Sequence, residues 1–243
     1  MLRLLPVLLA LLVATPSFAQ DVITPGHPDM DTSLLDEGEM LFSISIKRGP
    51  MEQTIGSLTA SLTIDEDAGQ IKAIRAYEMM GQKLADTTVA AWPSLASISH
   101  VSNNPERSLR FSVADGMITG VHTPSGSDAE AFEMSVDGPF FDASWMSLIA
   151  SLLPLADGYS TTVAAYEYEQ GGVADYTLSV SGPVDIELSN GRKYEAWEVQ
   201  SDQPDGDGAT YYMHTANHQM LRAVFRPEPG LEVFIDAEMG EGK

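Results

Sequence analysis

Apolar and polar side chains alternate over many short stretches of this chain. In the first of these, residues 40–47, apolar side chains occupy every second position and polar ones lie mostly between them. This period of two is the pattern of a strand with one buried face. The stretch 71–100 fits strand and helix equally well and receives no assignment. Stretches with the same alternation follow at 58–64, 109–113, 117–121, 132–136, 163–168, 176–180, 184–188, 194–199, 211–213, 221–225 and 231–235.

Turn residues separate these stretches. Asp115-Gly116 is a strong signal for a two-residue hairpin, and Asn190-Gly191 marks another turn. Many short strands at close spacing, with turns between them, predict a large antiparallel sheet that curls or closes.

One segment has a different period. Between residues 142 and 153 the apolar positions follow the i, i+3, i+4, i+7 spacing of a helix face. Asp142 is placed to cap the first turn, and Pro154 ends the run. The pattern predicts a single helix of about three turns.

Together these elements predict a mainly β protein. We expect a large curved antiparallel sheet, or an incomplete β-barrel, with one central helix at about 142–153. A helix laid across the concave face of such a sheet would bury its apolar stripe. The predicted domain spans 38–243, and it is either one β-rich unit or two β halves joined by the helix.

The first 19 residues have the layout of a secretory signal peptide. A basic residue, Arg3, precedes an apolar run at 4–13, and small residues occupy positions 17 and 19, which predicts cleavage after Ala19. An uncleaved anchor is the alternative, although the run is shorter than the roughly 20 residues that span a bilayer. We therefore expect an exported, periplasmic protein with no integral membrane segment in the mature chain. Residues 20–37 are rich in proline, glycine and acids, and they predict a flexible leader.

The composition is strongly acidic. The chain has 13 basic and 35 acidic residues, a net charge of −22. Removing the signal peptide removes only Arg3 among them and leaves 12 basic against 35 acidic residues, a net charge of −23. Such a surface repels nucleic acid and anionic headgroups, so neither is an expected partner. Cysteine is absent, which excludes disulfides and thiol catalysis.

No motif indicates a nucleophilic enzyme. The chain has no Gly-x-Ser-x-Gly elbow, and the nearest pattern, at residues 125–128, lies in a polar loop. Paired carboxylates carry no information in a chain with 35 acids. The sequence therefore predicts no catalytic residue and no cofactor.

Two groups of residues are candidate metal ligands. His214 and His218 are four positions apart, but they lie in a predicted strand and turn, where exposed histidines are the favoured interpretation. A hairpin turn between them would still place the imidazoles opposite each other. Asp202, Asp205 and Asp207 resemble part of a calcium loop that lacks its remaining ligands, so an acidic turn is favoured. No metal is predicted.

The apolar face of the helix is the candidate ligand site. Its members are Trp145, Leu148, Ile149 and Leu152, and the alternative is that they form ordinary core. Methionines adapt to varied apolar shapes, and Met79, Met80 and Met146 could accompany this face.

Aromatic residues are also concentrated in the second half of the chain. They either pack between neighbouring strands or form a platform that binds a carbohydrate or a lipid.

Several segments resemble a known protein family. They are Asp142-x-x-Trp-Met-Ser-Leu with Leu152-Leu-Pro, the strand 176–180, Asn190-Gly-Arg-Lys-Tyr-Glu-Ala-Trp and the stretch 211–225. In their order along the chain and in their pattern of residue types, they resemble a family of uncharacterised exported bacterial β-proteins. The fold that this implies is similar to that of the periplasmic lipoprotein-localisation carriers, in which an incomplete β-barrel shelters an acyl chain under helices. The resemblance implies no site residue.

Three functions remain open from the sequence. The first is a non-catalytic periplasmic binding or carrier protein for an apolar or amphipathic ligand, such as a lipid. The second is an interaction or structural protein of the cell envelope with a filled core. The third is an enzyme, such as a hydrolase that uses carboxylates.

Overall fold

The computed structural model describes residues 22–168, 171–203 and 208–238, so the predicted signal peptide at 1–19 lies outside it. The described chain is mainly β with a single α-helix, as the sequence predicts. The strands are β1 Val22–Ile23, β2 Gly38–Arg48, β3 Met51–Asp65, β4 Gln70–Met79, β5 Gln82–Ala91, β6 Ser97–Asn103, β7 Arg107–Ala114, β8 Met117–Pro124, β9 Glu130–Ser135, β10 Phe141–Asp142, β11 Ser160–Glu167, β12 Gly172–Glu187, β13 Lys193–Asp202, β14 Ala209–His214, β15 Met220–Glu228 and β16 Leu231–Ala237.

These strands form one continuous sheet. Its order is β1-β11-β12-β13-β14-β15-β16-β2-β3-β4-β5-β6-β7-β8-β9, with β10 also paired to β11. The last strand, β16, pairs antiparallel with β2 from Leu231↔Arg48 to Ala237↔Phe42, which joins the two halves of the chain. Apart from β1 and β10, which run parallel to β11, neighbouring strands are antiparallel. The sheet is open, and it does not close into a barrel.

The turns follow the chemistry of their residues. Asp115 and Gly116 have φ values of 51° and 72°, the left-handed pair that a tight hairpin between β7 and β8 needs. The run 176–180 and all but the last residue of the run 184–188 belong to a single strand, β12, and the irregularity between them contains Gly182 and Pro183. Proline cannot donate to the ladder, which explains why the alternation is interrupted without ending the strand.

The helix is shorter than predicted. A 3-10 turn at Ala143–Trp145 precedes the α-helix, α1, which covers Met146–Leu152 rather than the whole of 142–153. Asp142 does act as a cap, because its Oδ1 accepts a hydrogen bond from the N–H of Ser144 at 2.9 Å. Leu153 is already extended, because the residue before a proline avoids the helical region.

Side chains bridge the two ends of the open sheet. Tyr166 on β11 packs edge-on against Phe111 of β7, with ring centroids 5.2 Å apart. Just after β11, the ring of Tyr168 lies 5.4 Å from the ring of His122 of β8, and the Arg107 guanidinium lies 4.6 Å from the centre of the Tyr168 ring. The arm formed by β7, β8 and β9 therefore curls over β11, although the two ends share no strand pairing.

Residues 22–37, the described part of the expected leader, pack against the domain. Ile23 is buried in the main core, and Val22 and Ile23 pair with β11. The N–H of Asp31 also donates to the carbonyl oxygen of Leu152 at 2.9 Å, so this segment covers the end of α1.

Candidate functional site

The concave face of the sheet borders a large, partly open cavity. Its volume is about 1460 Å³, above the roughly 300–1,000 Å³ that is usual for small-molecule sites. Alternate residues of the strands line it, as expected where every second side chain points to one face of a sheet. Among them are Leu58, Ala60 and Leu62 of β3, Ala73, Arg75 and Tyr77 of β4, Ala209 and Tyr211 of β14, Ala223 and Phe225 of β15, and Ile235 and Ala237 of β16.

The helix forms one wall of this cavity. Trp145 and Leu148, three positions apart, lie along the lining, and Ser151 continues the same face. Ile149 and Leu152 do not line the cavity, because they point into the main core, where both are 0% exposed. The predicted apolar stripe therefore divides into a cavity side and a core side.

The methionines that were considered as companions lie in different places. Met146 lines the cavity, whereas Met80 is in an exposed turn and 87% accessible. Met79 packs in a separate cluster around Phe42. Only Met146 of the three is therefore part of the candidate site.

A group of buried polar side chains anchors the start of the helix wall. His100 on β6 has its Nδ1 2.8 Å from Oδ2 of Asp142 and 3.0 Å from Oγ1 of Thr88. The Thr88 hydroxyl also lies 3.2 Å from Oγ of Ser144. The imidazole stacks on Phe111, with centroids 5.5 Å apart and planes 9° from parallel. These contacts tie β5, β6 and β7 to the turn before α1.

The charge of Asp142 is stabilised although it is buried. Burial alone would raise the pKa of this carboxyl group, but the hydrogen bond and charge of His100 lower it, and so do the hydrogen bonds from Ser144. The net effect is a pKa below the ordinary value, so Asp142 stays ionised at neutral pH.

This arrangement differs from a catalytic triad in one decisive respect. In a triad the carboxylate and the nucleophile contact opposite nitrogens of the histidine ring. Here the oxygens of Asp142 and Thr88 both approach Nδ1 of His100. The hydroxyl is therefore not placed to transfer its proton across the ring, and the geometry fits a positioning role for the helix.

Arg75 carries a positive charge into the cavity. Its Nη1 donates to the carbonyl oxygen of Ser144 at 2.6 Å, and its Nη2 lies 3.6 Å from Oδ2 of Asp86 on the neighbouring strand. The Arg75 side chain is 25% exposed and lines the cavity. The guanidinium is thus fixed in position, and part of it remains open to the cavity.

Two buried tyrosines line the cavity as well. Tyr176 donates its hydroxyl hydrogen to Oε2 of Glu167 at 2.7 Å, and burial together with this carboxylate raises the pKa of the tyrosine. Burial raises the pKa of Tyr211 to about 12, with the charge of Arg75 acting in the opposite direction. Both phenols are therefore neutral hydrogen-bond donors at physiological pH.

The histidines considered as metal ligands are engaged separately. His214 and His218 flank the predicted hairpin turn, but each makes its own contact. Nδ1 of His214 accepts a hydrogen bond from the N–H of Ala216, and Nδ1 of His218 lies 3.1 Å from the carbonyl oxygen of Ser151. Within 22–168, 171–203 and 208–238, no three His, Cys, Asp or Glu side chains are grouped as metal ligands. Asp205 and Asp207 lie outside the described residues.

The polar part of the site was missed at the sequence level. Arg75, Asp86 and His100 all lie in the stretch 71–100 that received no assignment. Their side chains point into the concave face, where alternation normally places apolar residues. The sequence pattern does not distinguish a polar residue that faces solvent from one that faces a cavity. The sequence therefore held no signal that would identify these residues as part of the site.

Comparisons with known proteins identify a family. The model of a family described as a protein of unknown function, DUF3108, matches residues 42–238. The search of curated proteins gave no match. Among the described residues, no helix has the length and apolar character that a membrane span requires.

Two solved structures match this chain at low similarity. A β-barrel-like protein of the domain of unknown function DUF1849 from Brucella abortus has 10% identity and a TM-score of 0.40, over 82% of this chain and 94% of that chain. A DUF1329 family protein from Desulfovibrio piger ATCC 29098 has 12% identity and a TM-score of 0.23, over 86% of this chain and 90% of that chain. At this level of similarity, neither protein indicates a function for this chain.

Proposed function

This chain belongs to the DUF3108 family, and we propose from its own geometry that it is a non-catalytic binding or carrier protein for an apolar or amphipathic ligand. The ligand lies between the concave face of the sheet and α1. One observation carries this proposal: a partly open cavity of about 1460 Å³ bordered by the concave face of the sheet and α1.

Apolar side chains that face a cavity of this size lack packing partners on that side. Protein interiors pack as densely as organic crystals, and apolar groups without such neighbours lose dispersion contacts. Side chains such as Leu58, Leu62 and Phe225 border the cavity, so an apolar ligand would restore those contacts. The volume supports a ligand larger than an ordinary small molecule, or one with more than one acyl chain.

We further propose that the protein acts after export. The signal-peptide pattern of residues 1–19 supports a periplasmic location, with the mature chain beginning at Gln20. With 12 basic against 35 acidic residues, a net charge of −23, the mature chain should be repelled by anionic membranes, so an apolar ligand would be carried inside the fold rather than at the surface. Amino-terminal sequencing of protein recovered from the periplasm tests the cleavage site.

Filling the cavity tests the proposal. We expect the wild-type protein to bind a neutral apolar dye such as Nile red, and Ala60→Trp to weaken that binding by about tenfold or more. Ala60 lines the cavity, and a large side chain there would compete with the ligand for space, at a cost of roughly 1–3 kcal/mol. Fluorescence titration gives the two dissociation constants.

A matched control places the same side chain elsewhere. Ala68 is exposed in the turn between β3 and β4, so Ala68→Trp should leave dye binding unchanged. Equal affinity for the dye in wild type, Ala60→Trp and Ala68→Trp would contradict a ligand cavity. That result would favour an envelope protein whose interior is filled by its own side chains.

A further inference from the structure

Several hydrogen-bond donors line the cavity. Arg75, Tyr211 and Trp145 are among them. Tyr211 is 6% exposed, and its phenol lies close enough to Arg75 for the charge of the guanidinium to act on it. Trp145 is 4% exposed, and its Nε1 is buried without a hydrogen-bond partner in the part of the chain that the structure describes.

Arg75 adds donors that its protein partners do not use. A guanidinium has five N–H groups, and in Arg75 one of them, on Nη1, donates to the carbonyl oxygen of Ser144. The distance of 3.6 Å to Asp86 exceeds the range of a good hydrogen bond, so this carboxylate balances the charge without occupying the donors. A buried donor without an acceptor is costly, and a ligand that supplies acceptor oxygens would remove that cost.

We propose that Arg75 and Tyr211 bind the oxyanionic head of an amphipathic ligand, a carboxylate or a phosphate, while its apolar chain occupies the rest of the cavity. This inference rests on the proposed function and specifies the ligand class for the same site. A guanidinium and a neutral phenol both donate to oxyanions, and charge-assisted bonds of this kind are the strong ones. We expect an alkylammonium head to bind more weakly at this position, because it would place a second cation beside the Arg75 guanidinium.

Ligands that share one chain and differ in the head test the inference. We expect calorimetric titration of the purified protein to show dodecanoate or dodecyl phosphate binding on the order of 10-fold tighter than dodecanol, and dodecylammonium binding more weakly still. Comparing dodecanoate with dodecyl phosphate identifies which of the two oxyanions is preferred. Exposed carboxylates such as Glu37 and Glu39 also border the cavity, so the titrations use about 0.15 M salt to screen them.

Two variants connect the preference to these side chains. Tyr211→Phe keeps the ring and removes the hydroxyl, and Arg75→Gln removes the charge. Each should weaken the preferred oxyanionic ligand by roughly 10-fold while leaving dodecanol within about twofold. Tyr212→Phe and Arg110→Gln are the matched controls, because neither residue lines the cavity. Circular dichroism confirms that each variant is folded.

The two proposals fail in different ways. If all four ligands bind wild type equally, or if the variants weaken dodecanol as much as the oxyanions, the headgroup inference is overturned and the carrier function stands. If none of the four ligands binds wild type, the carrier function is overturned together with the inference.

Discussion

Replacing Asp236 by asparagine is expected to lower the free energy of unfolding by about 3–5 kcal/mol, the usual cost of breaking a buried ion pair. Asp236 is 2% exposed, and its two oxygens accept hydrogen bonds from Nε and Nη2 of Arg222 at 2.5 and 2.6 Å. The N–H and hydroxyl of Ser189 bond to the same carboxylate at 2.8 and 2.6 Å. The substitution leaves the Arg222 charge without its counterion. Urea denaturation measures the change.

An exposed ion pair on the same strands provides the control. Arg226 and Glu232 lie 3.2 Å apart with side chains 50% and 32% exposed, so Glu232→Gln should cost at most about 1 kcal/mol. Equal losses for Asp236→Asn and Glu232→Gln would show that the buried network does not form. Ile235 and Ala237 line the cavity, so Asp236 lies on the opposite face of β16, and its substitution should not change ligand affinity in the folded protein.

The same network predicts how stability depends on pH. Burial alone would raise the pKa of Asp236, but the hydrogen bonds from Arg222 and Ser189 hold that pKa below its ordinary value. The carboxylate therefore contributes stability above the unfolded pKa of about 3.9, and that contribution is lost as the pH falls through the lower folded pKa. When the pH is lowered from 5 to acid conditions, the free energy of unfolding of Asp236→Asn should therefore fall less than that of wild type in the same urea experiment.

Ile149→Ala is expected to lower the free energy of unfolding by about 2–5 kcal/mol, whereas Leu148→Ala should lower it by about 1 kcal/mol or less. The two residues are adjacent on α1 and differ in what they face. Ile149 is 0% exposed within the core, so Ile149→Ala leaves a new void among packed neighbours. Leu148 borders the cavity and is only half-buried, so Leu148→Ala enlarges a space that already exists. Thermal and urea unfolding of the ligand-free proteins give both values.

This comparison also tests whether the cavity is hollow in solution. A loss for Leu148→Ala as large as that for Ile149→Ala would mean that Leu148 is packed on all sides. The helix would then be ordinary core, which is the alternative that the sequence left open.

The sequence was most informative where one face of an element is buried. Alternation over residues 40–47 predicted β2, and the stripe at 142–153 predicted the only α-helix of the described chain. The resemblance to an uncharacterised family of β-proteins was confirmed by the DUF3108 match. The helix proved shorter, because Pro154 holds Leu153 extended and Asp142 caps a 3-10 turn rather than α1 itself.

Features that depend on distant parts of the chain could not be predicted. The pairing of β16 with β2 joins strands at opposite ends of the domain, and no local pattern specifies it. The apolar stripe identified Trp145, Leu148, Ile149 and Leu152 as a group, but periodicity cannot separate a cavity side from a core side when both are apolar. Inward-facing polar residues such as Arg75 and His100 broke the alternation that strand prediction requires.

Native mass spectrometry tests the central claim most directly. The full-length chain would be produced in a bacterial host that exports it, purified from the periplasm without detergent, and compared with Ala60→Trp and Ala68→Trp prepared in the same way. We expect wild type and Ala68→Trp to carry an added mass that organic extraction identifies as an amphipathic molecule with an acidic head, and Ala60→Trp to carry little of it. A bare polypeptide mass for all three, together with no binding of added dodecanoate, dodecyl phosphate or Nile red, would contradict a ligand-binding cavity.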